Sequence, residues 1–252
     1  MGGGYSGQGG GRRDNRSWAA AATSSGGATR TIDGYTMYDS DEAIFEAFGL
    51  GNGGQADQWA QNLTGQEASA AYWYSENGHA AINRLERHQE PGKWYSIEEA
   101  VEGSSNLKKA IDKGGLRENI IVTRTAGPEL IGGRTTVADV RKAYGEVVTD
   151  RGFTSTELKQ SSSEKNPYAT KYGKNRITYH IKAEAGEGIG QYIRGMTDSH
   201  QEQEFLFNKG SSFKILGAYS DAQGMTHVNL KYVGRYGKVD PRRDRSYRAK
   251  KA

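Results

Sequence analysis

The chain has 252 residues, with 34 Lys/Arg and 30 Asp/Glu for a formal net charge of +4, and it contains no cysteine. Disulfide bonds, thiolate catalysis and cysteine-ligated metal sites are therefore excluded. Apolar stretches fall short of the roughly 18 residues that a membrane span needs, and the N-terminus lacks the apolar segment of a secretory signal. We therefore expect a cytoplasmic protein, or one delivered into a host or target cell by a secretion system or virion.

The two ends of the chain differ from the middle in composition. Residues 1–34 are rich in Gly, Ser and Ala, and we expect a disordered leader there because they bury too little apolar surface to offset their ordering entropy. Residues 35–233 are expected to form one folded domain, and residues 234–252 a basic tail. From residue 231 onward, nine Lys/Arg face two Asp. Such a tail suits an acidic or RNA-associated partner, and a solvated terminus is the alternative.

Helical signals dominate the first half of the domain. The acidic start of DSDEAIFEAF (39–48) predicts a short helix with Ile44, Phe45 and Phe48 inward. The stretch GLGNGG (49–54) matches G-x-G-x-x-G, but it follows a helical pattern instead of a strand. A glycine helix stop is therefore favoured over a dinucleotide-binding fingerprint.

Two further helix starts are marked by capping residues. Thr64 with Glu67 forms a capping-box pattern. A turn at residues 75–78 is expected to separate that helix from the next one, which Pro91 ends. Another helix should begin after Ser96, with Glu early and Lys late, as the helix dipole prefers.

From residue 119 the pattern changes to short β-branched and aromatic segments, which are typical of strands. These segments read NIIVTRTA, VVTDRGFTST, RITYHIKA, EFLFN, SSFKILGAYSD and THVNLKYV. One helix, TTVADVRKAYG, interrupts them. Helices first and strands after predict an α+β fold, with an N-terminal helical part packed on a mixed, largely antiparallel β-sandwich core.

Arg124 and Ser155 are candidate functional residues in predicted strands. Arg124 is a cation within an otherwise apolar strand, so it should pair with a carboxylate or with a ligand anion. Ser155 lies between two threonines in GFTSTEL. An exposed strand face explains such a run, and the absence of a visible Asp/His pair argues against a serine nucleophile.

Glu202 and Glu204 are the one pair of glutamates in the chain at a spacing of two. In a strand this spacing places both carboxylates on one face. Their mutual repulsion would raise the pKa of one of them unless a cation or hydroxyl groups stabilise both. By itself the pair is compatible with chance.

The order of these motifs resembles the Arg–Ser–Glu class of mono-ADP-ribosyltransferases, a family of toxins, effectors and phage enzymes. IIVTRTAG is similar to that family's arginine strand, TDRGFTSTEL to its Ser-Thr-Ser strand, and EQEFLFNKGSSFKI to its Glu-x-Glu strand. The helix LTGQEASAAYWYSENGHAAIN resembles its helical motif, with Tyr74 and Asn83 in place. The resemblance covers roughly residues 55–233.

Three positions depart from the family pattern. Glu157 stands where the third residue of Ser-Thr-Ser is usual, His79 replaces a tyrosine of the helix, and Thr125 replaces the glycine after the strand arginine. Since the family's functional serine is the first of the three, Glu157 should do little harm. Thr125 could alter how closely NAD+ approaches its strand.

The resemblance implies an enzyme that cleaves NAD+ as co-substrate and transfers ADP-ribose, with no metal. Breaking the bond from nicotinamide to ribose develops positive charge on the sugar. By resemblance, Glu204 is the carboxylate that stabilises this charge, Ser155 holds Glu204, and Arg124 pairs with the NAD+ phosphates. The segment 159–175 would lie over the nicotinamide, with Tyr168 and Tyr172 stacking on it.

A glutamate at position 202 implies an arginine acceptor, since this residue in the family goes with arginine specificity. The expected partner is therefore a target protein carrying that arginine, with no membrane partner and a monomeric enzyme. Two alternatives stay open. One is a non-catalytic nucleic-acid or protein-binding module that uses the basic tail, and the other is an NAD glycohydrolase.

Overall fold

Helices from the first half of the chain pack against strands from the second half. The computed structural model describes residues 14–24, 27–49, 53–160, 176–193 and 203–236. The helices are α1 (Trp18–Ala21), α2 (Asp41–Phe48), α3 (Gln55–Gln61), α4 (Gly65–Trp73), α5 (His79–Glu86), α6 (Ile97–Asp112) and α7 (Val137–Lys142), with a π-helical turn at Tyr74–Gly78 and a 3-10 turn at Pro128–Ile131. In the described part of the chain, none of the helices combines the length and apolarity of a membrane-spanning segment.

The predicted helix boundaries are confirmed where capping residues mark them. The side chains of Thr64 and Ser96 each accept a hydrogen bond from the backbone N–H of the glutamate three residues later. The side chain of that glutamate accepts the backbone N–H of the capping residue, which completes two capping boxes. Gly49 ends α2 in the left-handed conformation, with φ of 66°. This geometry is the helix stop expected for GLGNGG, because glycine adopts positive φ without steric cost.

The expected turn at residues 75–78 is not a break in the helix. Residues Tyr74–Gly78 form a π-helical turn that joins α4 directly to α5. Such a turn inserts an extra residue into the helix without ending it. Gly78 lies against the indole of Trp73, where a Cβ would come within 2.5 Å of a ring atom. The polar residues 75–78, which predict a turn, therefore form a π-helical bulge within a continuous helix.

The strands form one continuous mixed sheet and a small separate pair. They are β1 (Thr23–Ser24), β2 (Thr29–Ile32), β3 (Tyr35–Tyr38), β4 (Gly115–Leu116), β5 (Ile120–Ala126), β6 (Val147–Thr149), β7 (Thr154–Glu157), β8 (Ile177–Ala183), β9 (Gly186–Glu187), β10 (Gly190–Tyr192), β11 (Glu204–Phe207), β12 (Ser211–Ser220) and β13 (Thr226–Arg235). The order along the large sheet is β1-β2-β3-β5-β8-β13-β12-β6. A branch leaves it at β5 and runs through β7 and β11 to β10.

Most of the strand pairs are antiparallel. In the described residues the parallel pairs are β3 with β5 and β8 with β13. The predicted α+β class with a largely antiparallel sheet is confirmed. The main core lies between the two parts of the sheet, and a second core lies between the branch and helices α3 to α6.

The segment 14–24 differs from the disordered leader expected through residue 34. The indole of Trp18 is fully buried against Met37 and Ile121, and its N–H bonds to Asp14. Asn229 on β13 donates hydrogen bonds to the backbone oxygens of Asp14 and Arg16, at 2.7 and 2.9 Å. One large aromatic side chain and backbone pairing thus offset the ordering cost that composition alone predicts. Residues 1–13 and 237–252 lie outside the described part.

Replacing Trp18 with alanine should destabilise the domain by about 3–5 kcal/mol, because it removes a fully buried indole from a packed site. Chemical denaturation followed by circular dichroism measures this change. Trp94→Ala is the matched control, since the Trp94 side chain is 78% exposed and its loss should change stability by less than about 0.5 kcal/mol. Equal effects from the two variants would contradict the docking of this segment.

Candidate active site

Three neighbouring strands carry the described residues that the sequence singles out. Arg124 lies on β5, Ser155 on β7 and Glu204 on β11. Strand β7 is the middle one, pairing with β5 through Glu157 and Thr123 and with β11 over its whole length. The structure therefore brings together residues that are separated by 31 and 49 positions along the chain.

Glu204, Glu157, Ser155 and Leu206 share one side of the β7–β11 pair, which we call the Glu204 face. In the antiparallel register, Glu204 is opposite Glu157 and Leu206 is opposite Ser155, and directly opposite residues project to the same side. Leu206 packs into the core beneath the helices. The Glu204 face is therefore directed toward the helical layer.

Arg124 contacts the serine strand directly. Its Nη1 donates a 2.6 Å hydrogen bond to the backbone oxygen of Ser155, and its side chain is half-buried. Among the residues that the structure describes, no carboxylate forms an ion pair with this guanidinium. Within the described residues, a structural ion pair, the ordinary reason for a lone arginine in a strand, is therefore not what holds Arg124. Its charge can serve an anionic ligand.

Glu204 is a buried carboxylate beside a buried phenol. It is 7% exposed at the first position of β11. Tyr74, from the π-helical turn, is 2% exposed. Burial raises the pKa of Tyr74, and the negative charge of Glu204 raises that pKa further. Tyr74 is therefore a neutral hydrogen-bonding group next to the carboxylate at physiological pH.

The helical layer holds the start of the serine strand through Asn83. Its Oδ1 accepts the backbone N–H of Phe153 at 2.8 Å, and its Nδ2 donates to the hydroxyl oxygen of Tyr74 at 3.0 Å. The ring of Phe153 packs edge-on against that of Tyr74 at 5.7 Å. Gly152 is needed here, since a Cβ would lie 2.5 Å from Asn83 Oδ1.

An ion pair supports the same turn. Arg87 on the helical side donates two hydrogen bonds to Asp150, at 3.0 and 2.9 Å. Asp150 also accepts the backbone N–H of Gly152 and the hydroxyl of Thr154. Sequence reasoning missed the roles of Arg87 and Asp150, although the Asp-x-Gly spacing ahead of the serine strand is a signal of a side-chain-capped turn.

Several predicted site residues fall outside the described part of the chain. They are Glu202, at the end of the gap before β11, and Tyr168 and Tyr172, in the gap after residue 160. Their assignments stay predictions. In the described residues, no three His, Asp or Glu side chains cluster in a way that could hold a metal ion.

The three departures from the family pattern have distinct surroundings. The ring of His79 packs edge-on against Tyr74, with 6.3 Å between centroids. The hydroxyl of Thr125 lies 3.3 Å from that of Thr178 on β8. Glu157 accepts the backbone N–H of Gln203, the residue before Glu204, at 3.3 Å. Glu157 is thus the departure that lies on the Glu204 face.

Comparison with protein families agrees with this geometry. The model of the ADP-ribosyltransferase exoenzyme family matches residues 52–235, which include all three strands of the site. The chain belongs to this family. The resemblance to Arg–Ser–Glu mono-ADP-ribosyltransferases is confirmed, and the exoenzyme is a transferase that uses NAD+. Among curated protein sequences, none matches this chain.

Solved structures of ADP-ribosyltransferases share the fold of the exoenzyme. Plx2a, an ADP-ribosyltransferase toxin from Paenibacillus larvae, aligns with a TM-score of 0.62 at 16% identity, over 77% of this chain and 96% of Plx2a. An ADP-ribosyltransferase from Clostridium botulinum aligns with a TM-score of 0.62 at 17% identity, over 79% of this chain and 99% of its own. BECa, the ADP-ribosylating toxin of a C. perfringens binary enterotoxin, aligns with a TM-score of 0.62 at 20% identity, over 78% of this chain and 49% of BECa.

Replacing Asn83 with alanine should lower stability by about 1–3 kcal/mol, because the N–H of Phe153 is then buried without its acceptor. Chemical denaturation measures the loss. Asn77→Ala is the matched control: Asn77 lies in the same helical run, but its side chain is exposed. If both variants are equally stable, Asn83 does not hold the serine strand.

Proposed function

We propose that the exoenzyme transfers ADP-ribose from NAD+ to an arginine side chain of a target protein. The observation that carries this proposal is the position of Glu204, a buried carboxylate on the branch that starts at the Arg124 strand and includes the Ser155 strand. Glu202, two positions before it in the sequence, supplies the acceptor specificity that the resemblance implies.

The charges of the described residues fit NAD+ as co-substrate. Arg124 offers a half-buried guanidinium that forms no ion pair with a described carboxylate, and a guanidinium binds phosphate oxygens well. BECa, one of the structures with this fold, was solved with NADH. We infer that Arg124 binds the pyrophosphate. Tyr168 and Tyr172 remain the residues proposed to stack on the nicotinamide.

The reaction needs negative charge where the sugar becomes positive. The bond between the nicotinamide nitrogen and ribose C1 breaks, and neutral nicotinamide leaves with the bonding electrons. Glu204, held in a largely water-free position, stabilises the charge that develops on the ribose. Ser155 lies diagonally across from Glu204 on the same face, at a spacing of about 7 Å between such positions. This spacing supports the proposal that Ser155 helps to orient the carboxylate.

Transfer also needs a base for the acceptor. A guanidinium nitrogen of the target arginine forms the new bond to ribose C1 and loses one proton. Glu202 is the proposed acceptor of that proton, and its carboxylate also pairs with the incoming guanidinium. Without a bound acceptor, water takes the place of the arginine, and the same site acts as an NAD glycohydrolase.

We further infer that the exoenzyme acts as a toxin, bacterial effector or phage enzyme on a protein inside a host or target cell. The basic tail, with its excess of Lys/Arg, is proposed to favour acidic or RNA-associated targets through long-range attraction. The catalytic domain is proposed to act as a monomer, because residues from one chain supply each role named above.

Glu204→Gln should lower both NAD+ hydrolysis and transfer by about 1,000-fold, because the amide cannot stabilise positive charge on the ribose. Release of labelled nicotinamide and labelling of a cell lysate measure the two reactions. Glu98→Gln makes the same change of charge on the exposed surface of α6 and should retain activity. Full activity of Glu204→Gln would show that another residue carries the reaction.

Glu202→Gln should separate the two reactions. Transfer to protein should fall by about 100-fold, because the amide cannot accept the arginine proton, while hydrolysis of NAD+ should persist. Mass spectrometry of labelled lysate proteins identifies the modified side chain. Modification of a residue other than arginine by the wild-type enzyme contradicts the arginine assignment, and hydrolysis with no labelled protein in any lysate supports the glycohydrolase.

A further inference from the structure

Glu157 places a second buried carboxylate on the Glu204 face, at a position where the family pattern has a serine. We propose that Glu157 is a positioning residue with two effects. It holds the start of β11 in place for catalysis, and its charge raises the pH at which Glu204 becomes ionised. This inference rests on the proposed function of Glu204.

The strand register puts the two carboxylates side by side. Glu157 and Glu204 are direct partners in the antiparallel β7–β11 pair, and the Cβ atoms of such partners are about 5 Å apart. Glu157 is 9% exposed and Glu204 is 7% exposed. Solvent therefore screens their interaction much less than it screens a surface pair.

Glu157 also fixes the residue that joins the two functional glutamates. Its Oε2 accepts the backbone N–H of Gln203 at 3.3 Å. The backbone oxygen of Gln203 accepts the N–H of Leu158 at 2.9 Å, and its side-chain oxygen accepts the hydroxyl of Tyr192 at 2.5 Å. Gln203 is thus bound through its N–H, its carbonyl and its side chain. Because Gln203 directly precedes Glu204, this anchoring fixes where the backbone of Glu204 starts β11.

The charge of Glu157 should affect the pH at which Glu204 ionises. Two carboxylates this close repel, so the first proton that binds the pair binds more tightly than it would to either carboxylate alone. Among the described residues, the charged or titratable groups around the pair include Arg124 from β5, Tyr74 from the helical layer and Asp150 from the turn before β7, since Arg124 and Asp150 act on Tyr74 together with Glu204. Arg124 favours the ionised pair, and neutral Tyr74 leaves its charge unchanged.

Two variants separate the positioning effect from the charge effect. Glu157→Gln keeps an oxygen that can accept the Gln203 N–H but removes the charge. In this variant, the acid limb of the pH profile of kcat/KM for NAD+ cleavage should lie about one pH unit below the acid limb of wild type. Glu157→Leu also removes the acceptor, so kcat should fall by about tenfold while KM for NAD+ stays within about twofold.

Glu102→Gln is the matched control, because it makes the same change of charge on the exposed surface of α6 and should leave the pH profile unchanged. Thermal unfolding checks that each variant folds. If Glu157→Leu does not fold, Glu157→Ala, which also lacks the acceptor for the Gln203 N–H, takes its place in the test of the positioning effect. An acid limb of Glu157→Gln that coincides with the wild-type limb overturns the charge effect, and a wild-type kcat in folded Glu157→Leu overturns the positioning effect.

A titration without NAD+ distinguishes failure of this inference from failure of the proposed function. Carbon-13 NMR of the glutamate carboxyl groups follows Glu157 in wild type and in Glu204→Gln. The midpoint of Glu157 should fall by about one pH unit when the charge of Glu204 is removed. An unchanged midpoint overturns the coupling even in an active enzyme. A wild-type enzyme that cleaves no NAD+ at any pH overturns the proposed function, whatever the titration shows.

Discussion

The position of β7 between β5 and β11 is the constraint on which the site depends. Each of these strands carries one member of the Arg–Ser–Glu set, and only their pairing puts the three residues within one small region. Strand β7 has four residues, too few for its own strand hydrogen bonds to place it securely. Its position therefore relies on what holds the turn before it, which is the helical layer.

The helical layer therefore does more than cover the sheet. Asn83 and the Arg87–Asp150 ion pair both bind the turn at Gly152, so the helical layer fixes the start of the serine strand. The π-helical turn points the hydroxyl of Tyr74 toward this assembly. A helix bulge at a site is a common way to place one side chain where regular helix geometry would not.

Local signals predicted much of this arrangement, and their failures have physical reasons. Capping at Thr64 and Ser96 depends on residues within one helical turn, so it could be predicted from the sequence. The burial of Trp18 could not, because its partners Met37 and Ile121 are distant in sequence and the surrounding composition is that of a disordered segment. Similarly, nothing in the sequence indicates that Glu157 is more than a harmless replacement, because only the strand register shows that it lies opposite Glu204.

The amino-acid sequence alone determined the capped helix starts at Thr64 and Ser96, the α+β class and the three motifs that carry Arg124, Ser155 and Glu204. Each of these follows from short-range rules of capping, alternation and motif order. The tertiary structure alone decided that β7 lies beside β11 in a register that pairs Glu157 with Glu204, and that Asn83 holds the turn before the serine. Such pairings join residues tens of positions apart, and packing on both faces of the sheet selects the register, so no local window contains the information.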